Sequence, residues 1–244
     1  MIFNQMVHFV KQLSGRLSPS MYASVANQND AASIAFLRQL RRDIKANDVL
    51  QIPFSELKVI VFDLETTGFY PQKGDKILSI GAVKVIGDQV MENETFYSVV
   101  NCIEPLSEEV KELTGICDAE LAEAPLLEHV LREFYQFIGS LPLVAHHANH
   151  EKSFMQHATW SSLKMNFHHR IMDTSFLTKI IEPEKNLVTL DDCCNHFGIS
   201  IKKRHHALHD AIATAKLWAE SVHSVQQLGF SNLSDVYTYL AKIR

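Results

Sequence analysis

Glycine and proline are scarce in this chain, nine and seven among 244 residues. That scarcity excludes a low-complexity chain and leaves the composition of an ordinary globular protein with a sizeable core. Cysteine is scarce as well: Cys102, Cys117, Cys193 and Cys194 show no C-x-x-C spacing. The adjacent pair falls in a predicted helix, so buried thiols are expected rather than disulfides or zinc ligands. There is no basic excess. At a net charge of −5 the chain is no basic nucleic-acid coat, and any polyanion it handles must meet a local basic patch or bound cations. No apolar run is long enough to span a bilayer. The first residues, MIFNQMVHFVK, lack the charged start and small-residue cleavage site of a signal peptide. A cytoplasmic protein without membrane contact is expected.

What is present centres on VIVFDLETTG, Val59 to Gly68. Lys58 to Phe62 carries the apolar and β-branched content of a buried strand, and Gly68 marks the exit turn. Asp63 and Glu65 stand two residues apart at its end, and a strand puts such residues on one face. Open α/β sheets build their sites at that edge. Two carboxylates so placed repel unless a cation or proton lies between them. They read as half of a hard-metal site for Mg²⁺ or Mn²⁺, or else as two solvated acids at a strand end.

Residues 1–57 read as a helical extension and 58–244 as the main domain. Ile2, Phe3, Met6, Phe9, Val10 and Leu13 form one amphipathic stripe. A second helix is expected from a cap at Asn29 or Asp30 through Ile34, Leu37, Leu40 and Ile44. This extension holds six Lys/Arg against four Asp/Glu, and the remainder 17 against 24. Its cluster Arg38, Arg41, Arg42 and Lys45 is either a solvated face or a contact for nucleic acid or a partner protein. Further along, strands are expected at Lys76 to Ile86 and Thr95 to Val100, joined by a Gly87-Asp88 turn. Ser107 caps a short helix ending at Gly115, and Leu127 to Ile138 is amphipathic. Short strands follow at Leu141 to Ala145 and His169 to Met172. Helices are expected over Glu151 to Trp160, after Thr189, over Ala207 to Gln227 and around Leu233 to Leu240. The order implies an α/β sheet of mixed direction with helices on both faces.

Two His-rich stretches, HHANHE (His146 to Glu151) and HHALHD (His205 to Asp210), each end in an acid near a helix start. With Asp63 and Glu65 these acids make four carboxylates, the set a phosphoryl-transfer site needs to hold two divalent cations about 3.5–4 Å apart. A histidine beside them suits a general base, since its ordinary pKa is about 6.5. Asp173 reads as a helix cap. Lys202-Lys203-Arg204 reads either as a solvated loop or as a contact for substrate phosphates.

FDLETTG (Phe62 to Gly68), VAHHANHEKSF (Val144 to Phe154) and HHALHDA (His205 to Ala211) resemble, in order and spacing, the three motifs of the DnaQ-like, DEDDh family of 3′–5′ exonucleases. ELTGICDAELAEAP (Glu112 to Pro125) resembles that family too. The resemblance implies a ribonuclease H-like fold, two divalent ions (Mg²⁺ or Mn²⁺), and hydrolysis at the 3′ end of single-stranded nucleic acid to nucleoside 5′-monophosphates, DNA more than RNA. It implies metal ligation by Asp63, Glu65, Glu151 and Asp210, with His205 as general base. Thr66 would hold the terminal nucleotide, with Leu113, Thr114 and Ile116 against its base or sugar; Lys203 and Arg204, directly before His205, are the candidates of the basic loop for phosphates. A polymerase or other partner is expected through the N-terminal helices, in a proofreading, repair or clearance role. The oligomeric state stays open. The second motif departs from the family in Glu151 for Asp, His147 for Asn and His150 for an apolar residue. The extra methylene at Glu151 moves its carboxylate by about 1.5 Å, against a catalytic tolerance near 0.5 Å.

Two other functions compete. The repeated H-H-A-x-H-[DE] pattern suggests a His-ligated di-metal phosphohydrolase using zinc, manganese or iron. Glu151 and His147 suggest instead a catalytically attenuated binding or interaction module.

Overall fold

The computed structural model describes residues 35–46 and 48–242. The stripe from Ile2 to Leu13 and the caps at Asn29 and Asp30 lie outside the described residues. Residues 35–46 form a helix, α1. The described residues divide into two units between Asp43 and Ile44. The sequence-drawn boundary at 57/58 thus stands beside a second unit that starts earlier, and Val49, Phe54 and Leu57 belong to that unit's main core.

Five strands make one sheet in the order β3-β2-β1-β4-β5. They are β1 (Lys58–Thr66), β2 (Ile77–Ile86), β3 (Gln89–Val99), β4 (Leu143–Ala145) and β5 (Ile171–Asp173). β1, β2 and β3 run antiparallel, whereas β4 and β5 lie parallel on the other side of β1. The mixed sheet is the one expected. The helices are α2 (Glu108–Thr114), α3 (Asp118–Glu123), α4 (Leu127–Ile138), α5 (Asn149–Leu163), α6 (Ser175–Ile181), α7 (Leu190–Phe197), α8 (Ala207–Gln227) and α9 (Leu233–Lys242).

Several boundaries differ from expectation for identifiable reasons. β1 continues past Phe62 to Thr66, so Asp63 and Glu65 sit inside the ladder, opposite Gly81 and Ser79, and a bulge follows between Glu65 and Thr66. β3 begins at Gln89 rather than Thr95. Its polar start, QVMENE, lacks strand patterning, yet pairing with β2 carries through it across a bulge at Val83/Lys84. The short helices α3 and α6 were too brief for a periodic signal. Ser107 caps α2 by accepting from Val110, and Thr189 and Asp192 close a full capping box on α7. All four cysteines are free, and Cys117 is exposed while the other three are buried.

Side-chain alternation in β1 separates two cores. Ile60, Phe62 and Leu64 point to the α4 face, where the rings of Phe62 and Phe134 stand 5.8 Å apart. Val59 and Val61 point to the opposite face, packing with Ala215, Trp218 and Val222 of α8. Asp63 and Glu65 continue that second row, so the same alternation that buries the valines aims both carboxylates toward α8.

α8 reaches the sheet because Gly81 lacks a side chain. A Cβ built there lies 2.2 Å from the backbone of Ala207 and Leu208, and rigid helix backbone cannot yield that distance. Since Gly81 is the register partner of Asp63, this contact also sets how near the first turn of α8 comes to Asp63. Gly81→Ala is expected to destabilise the fold by about 3 kcal/mol, at the upper end of overpacking costs, measured as a lowered urea midpoint. An unchanged midpoint would show that α8 does not rest on β2.

Candidate metal centre and nuclease site

Three elements converge on one patch. β1 brings Asp63 and Glu65, the first turn of α8 brings Asp210, and the first turn of α5 brings Glu151. Ligand oxygens of Asp63, Glu65 and Asp210 lie within 4.8 Å of one another, the one group of three or more metal-capable side chains among the described residues. Glu151 stands outside that group, yet its charge is the largest acting on Asp63. Glu65, Glu151 and Asp210 are all buried.

Burial and mutual repulsion dominate the electrostatics. Desolvation, then the charges of Glu151, Glu65 and Asp210, hold Asp63 well above the usual carboxylate range. Burial followed by the Asp210 charge raises Glu65 to about 7. Burial raises Glu151 to about 8, and Asp173 adds to the rise. Asp210 is also raised by burial, against the opposing charge of Arg204. Two buried oxygens, Glu151 Oε2 and Asp210 Oδ1, have no hydrogen-bond partner. Carboxylates forced together, with buried oxygens left unpartnered on Glu151 and Asp210, are the donor set for a hard divalent cation, and the residues present fit one.

Positive-φ backbone shapes the two loops that feed the site. His205, at φ 55°, turns so that its N–H donates to Asp210 Oδ2 at 2.8 Å, and this sets the imidazole's anchor beside the third acid. His147, at φ 59°, makes the turn into α5 and is exposed. Asp173 bridges that turn. Its Oδ2 accepts from Ala148 N and its Oδ1 from Ser175 N, both at 2.8 Å. Asp173 therefore holds the start of α5, and with it Glu151, as well as the start of α6.

His146 is structural. Its Nε2 lies 2.9 Å from the Val188 carbonyl, so it is the donor, and Nδ1 accepts from the Thr174 hydroxyl at 2.7 Å. His206 stacks on Tyr97 at 4.6 Å and on His209 at 4.2 Å. No histidine joins a metal-capable group of three among the described residues, which leaves the His-ligated phosphohydrolase without a site there.

The residues expected to touch substrate differ in exposure and in partners. Thr66 donates its hydroxyl to Gly68 O at 2.7 Å, with His150 Nε2 3.4 Å away. The buried Thr114 spends its hydroxyl within α2, donating to Val110 O and accepting from Ile116 N. Ile116 is buried in a small side core with Leu78 and Leu121. Leu113 alone of that segment's apolar residues is exposed, at 54%. Lys203 Nζ reaches Thr114 O at 3.3 Å. Arg204 pairs with both Asp191 and Asp210. Sequence reasoning missed Asp191, Tyr97 and Phe69, which is exposed beside the His150 ring at 5.8 Å. For Asp191 no spacing signal existed.

The raised acids set the sign of a pH effect. A carboxyl whose pKa rises on folding, as Glu65 and Glu151 do, favours the fold fully below the unfolded value. That contribution is lost as pH climbs through 7 to 8. In chelator, the melting midpoint is therefore expected to fall between pH 6 and pH 8.5, and millimolar Mg²⁺ is expected to restore it. Glu151→Gln should flatten the slope. A midpoint insensitive to both pH and Mg²⁺ would contradict the site.

The profile of the exonuclease family matches residues 60–218. The chain is 32% identical over 185 residues to the PolC-type DNA polymerase III of Caldanaerobacter subterraneus, covering 76% of this chain and 13% of that one. It is 31% identical over 194 residues to a DNA polymerase III subunit epsilon-like protein of Rhodobacter capsulatus, covering 79% and 27%. The chain thus spans only about an eighth to a quarter of these relatives' length. In fold it is similar to the nuclease domain of 3′hExo, a DEDDh family member bound to rAMP, with TM-score 0.57, 17% identity, and coverage of 70% and 92%. No helix among the described residues is long and apolar enough to cross a membrane. The chain belongs to the exonuclease family and carries a DnaQ-like exonuclease domain.

Proposed function

We propose that the protein is a divalent-cation-dependent 3′–5′ exonuclease that shortens single-stranded nucleic acid, DNA in preference to RNA, and releases nucleoside 5′-monophosphates. The observation that carries this reading is the clustering of Asp63 and Glu65 from β1 with Asp210 from α8, five residues after His205. Asp63, Glu65, Asp210 and Glu151 would hold two Mg²⁺ or Mn²⁺ ions, which supply Lewis acidity and neutralise phosphate charge. Asp210 fixes the backbone of His205, and the imidazole takes the proton of the attacking water. Leu113 and Phe69, both exposed, offer apolar surface to the last base, while Thr66 anchors the turn beneath it. Lys203 adds positive charge for the strand, so binding should weaken as salt rises. The DNA polymerase III names of two relatives support a DNA substrate and a polymerase-associated role, with residues 1–57 as the partner contact. The rAMP bound by 3′hExo supports the monophosphate product.

Digestion of 5′-labelled single-stranded DNA and RNA tests the reading. A ladder shortening from the 3′ end is expected with Mg²⁺ or Mn²⁺, abolished by chelator and by Asp63→Ala. His205→Ala should lower kcat by about 10²–10⁴-fold, the range of a lost general base. Endonucleolytic cuts, or digestion that survives chelator, would overturn it.

The position of Glu151 outside the three-acid cluster favours one second reading, a binding module with attenuated catalysis. Under the exonuclease reading Glu151→Asp changes kcat by less than about tenfold, or 1.4 kcal/mol. A larger gain would support attenuation.

A further inference from the structure

Asp210 is held by one oxygen only. Its Oδ2 accepts from Arg204 Nη1 and from the His205 N–H, whereas its buried Oδ1 has no hydrogen-bond partner. Arg204 is itself clamped, with Nε 2.9 and 3.1 Å from the two oxygens of Asp191. Asp191 sits in the first turn of α7. The start of that helix is fixed by reciprocal Thr189 and Asp192 bonds, both 3.0 Å. A rigid helix start, a planar guanidinium and the third acid are thus joined in series.

A carboxylate tied at one oxygen cannot rotate to exchange its two oxygens without breaking charge-assisted bonds. We propose that Arg204 is a positioning residue: anchored by Asp191, it holds Asp210 so that Oδ1 is the oxygen offered to the cation. This deepens the exonuclease reading and rests on it. A guanidinium serves here and an ammonium does not, because one planar fork must meet two carboxylates in fixed directions. A hook for substrate phosphate is the rival use, but Arg204 already spends two nitrogens on acids. The neighbouring cations of the same loop, Lys202 and Lys203, are exposed and better placed for that task.

The test uses the full chain, stripped of metal, as wild type, Arg204→Gln, Arg204→Lys and Asp191→Ala. Asp191→Ala leaves both the acid cluster and the α7 capping box intact, so it carries the test if Arg204→Gln melts early in chelator. Calorimetric titration with Mn²⁺ is expected to show about tenfold weaker binding in Arg204→Gln and Asp191→Ala, the scale of a lost outer partner. Arg204→Lys should stay weakened. On a labelled oligonucleotide kcat should fall while KM moves less than about twofold, as when an interaction acts only on the reacting state. Unchanged Mn²⁺ affinity with a raised KM would make Arg204 a phosphate contact and overturn the proposal. Tighter Mn²⁺ binding in Arg204→Gln would overturn it too, by showing that the guanidinium only competes with the ion. Should the wild type digest nothing, the exonuclease reading fails, while the calorimetric arm still decides what Arg204 does.

Discussion

Buried carboxylates crowded onto one patch repel one another, and folding alone does not relieve the strain. Hydrophobic packing brings them together: Val59 and Val61 draw β1 against α8, and the alternation that buries them delivers Asp63 and Glu65 to the same face. Gly81 lets α8 approach closely enough for Asp210 to join. The core therefore stores an electrostatic cost that a divalent cation would relieve. Function on this account is the return of that stored repulsion as cation affinity.

Around the acids the chain invests in orientation. Asp173 fixes the turn into α5, His146 ties Thr174 to Val188, and two histidines at positive φ make corners that bulky residues seldom adopt. Such backbone persists where its surroundings over-determine it, and here each corner lies within five residues of a site acid. Glu151 is the acid set apart. Glu151 sits beside the three-acid cluster rather than in it, with one oxygen unpaired.

Much of this was legible in the sequence, for physical reasons. A run of β-branched residues ending in D-x-E allows few geometries, and α8 was readable from Ala207 to Gln227 because its buried face repeats over several turns. The Thr189–Asp192 cap follows from local chemistry. What stayed hidden depends on pairings that local composition does not show. The polar start of β3 is a strand only because β2 pairs with it. Lys202-Lys203-Arg204 reads alike as a solvated loop or a phosphate contact, and only the fold brings Asp191 to Arg204 across 13 residues. Ile116 resembles a substrate contact by motif, yet its side chain is buried in the small core beside α3.

The central claim is that the acids of β1, α5 and α8 hold divalent cations. Anomalous diffraction from crystals soaked in Mn²⁺ tests it most directly. Two peaks flanked by Asp63, Glu65, Asp210 and Glu151 are expected, and neither in Asp63→Asn crystals. Peaks on the imidazoles of His206 and His209, or none at the acids, would contradict it.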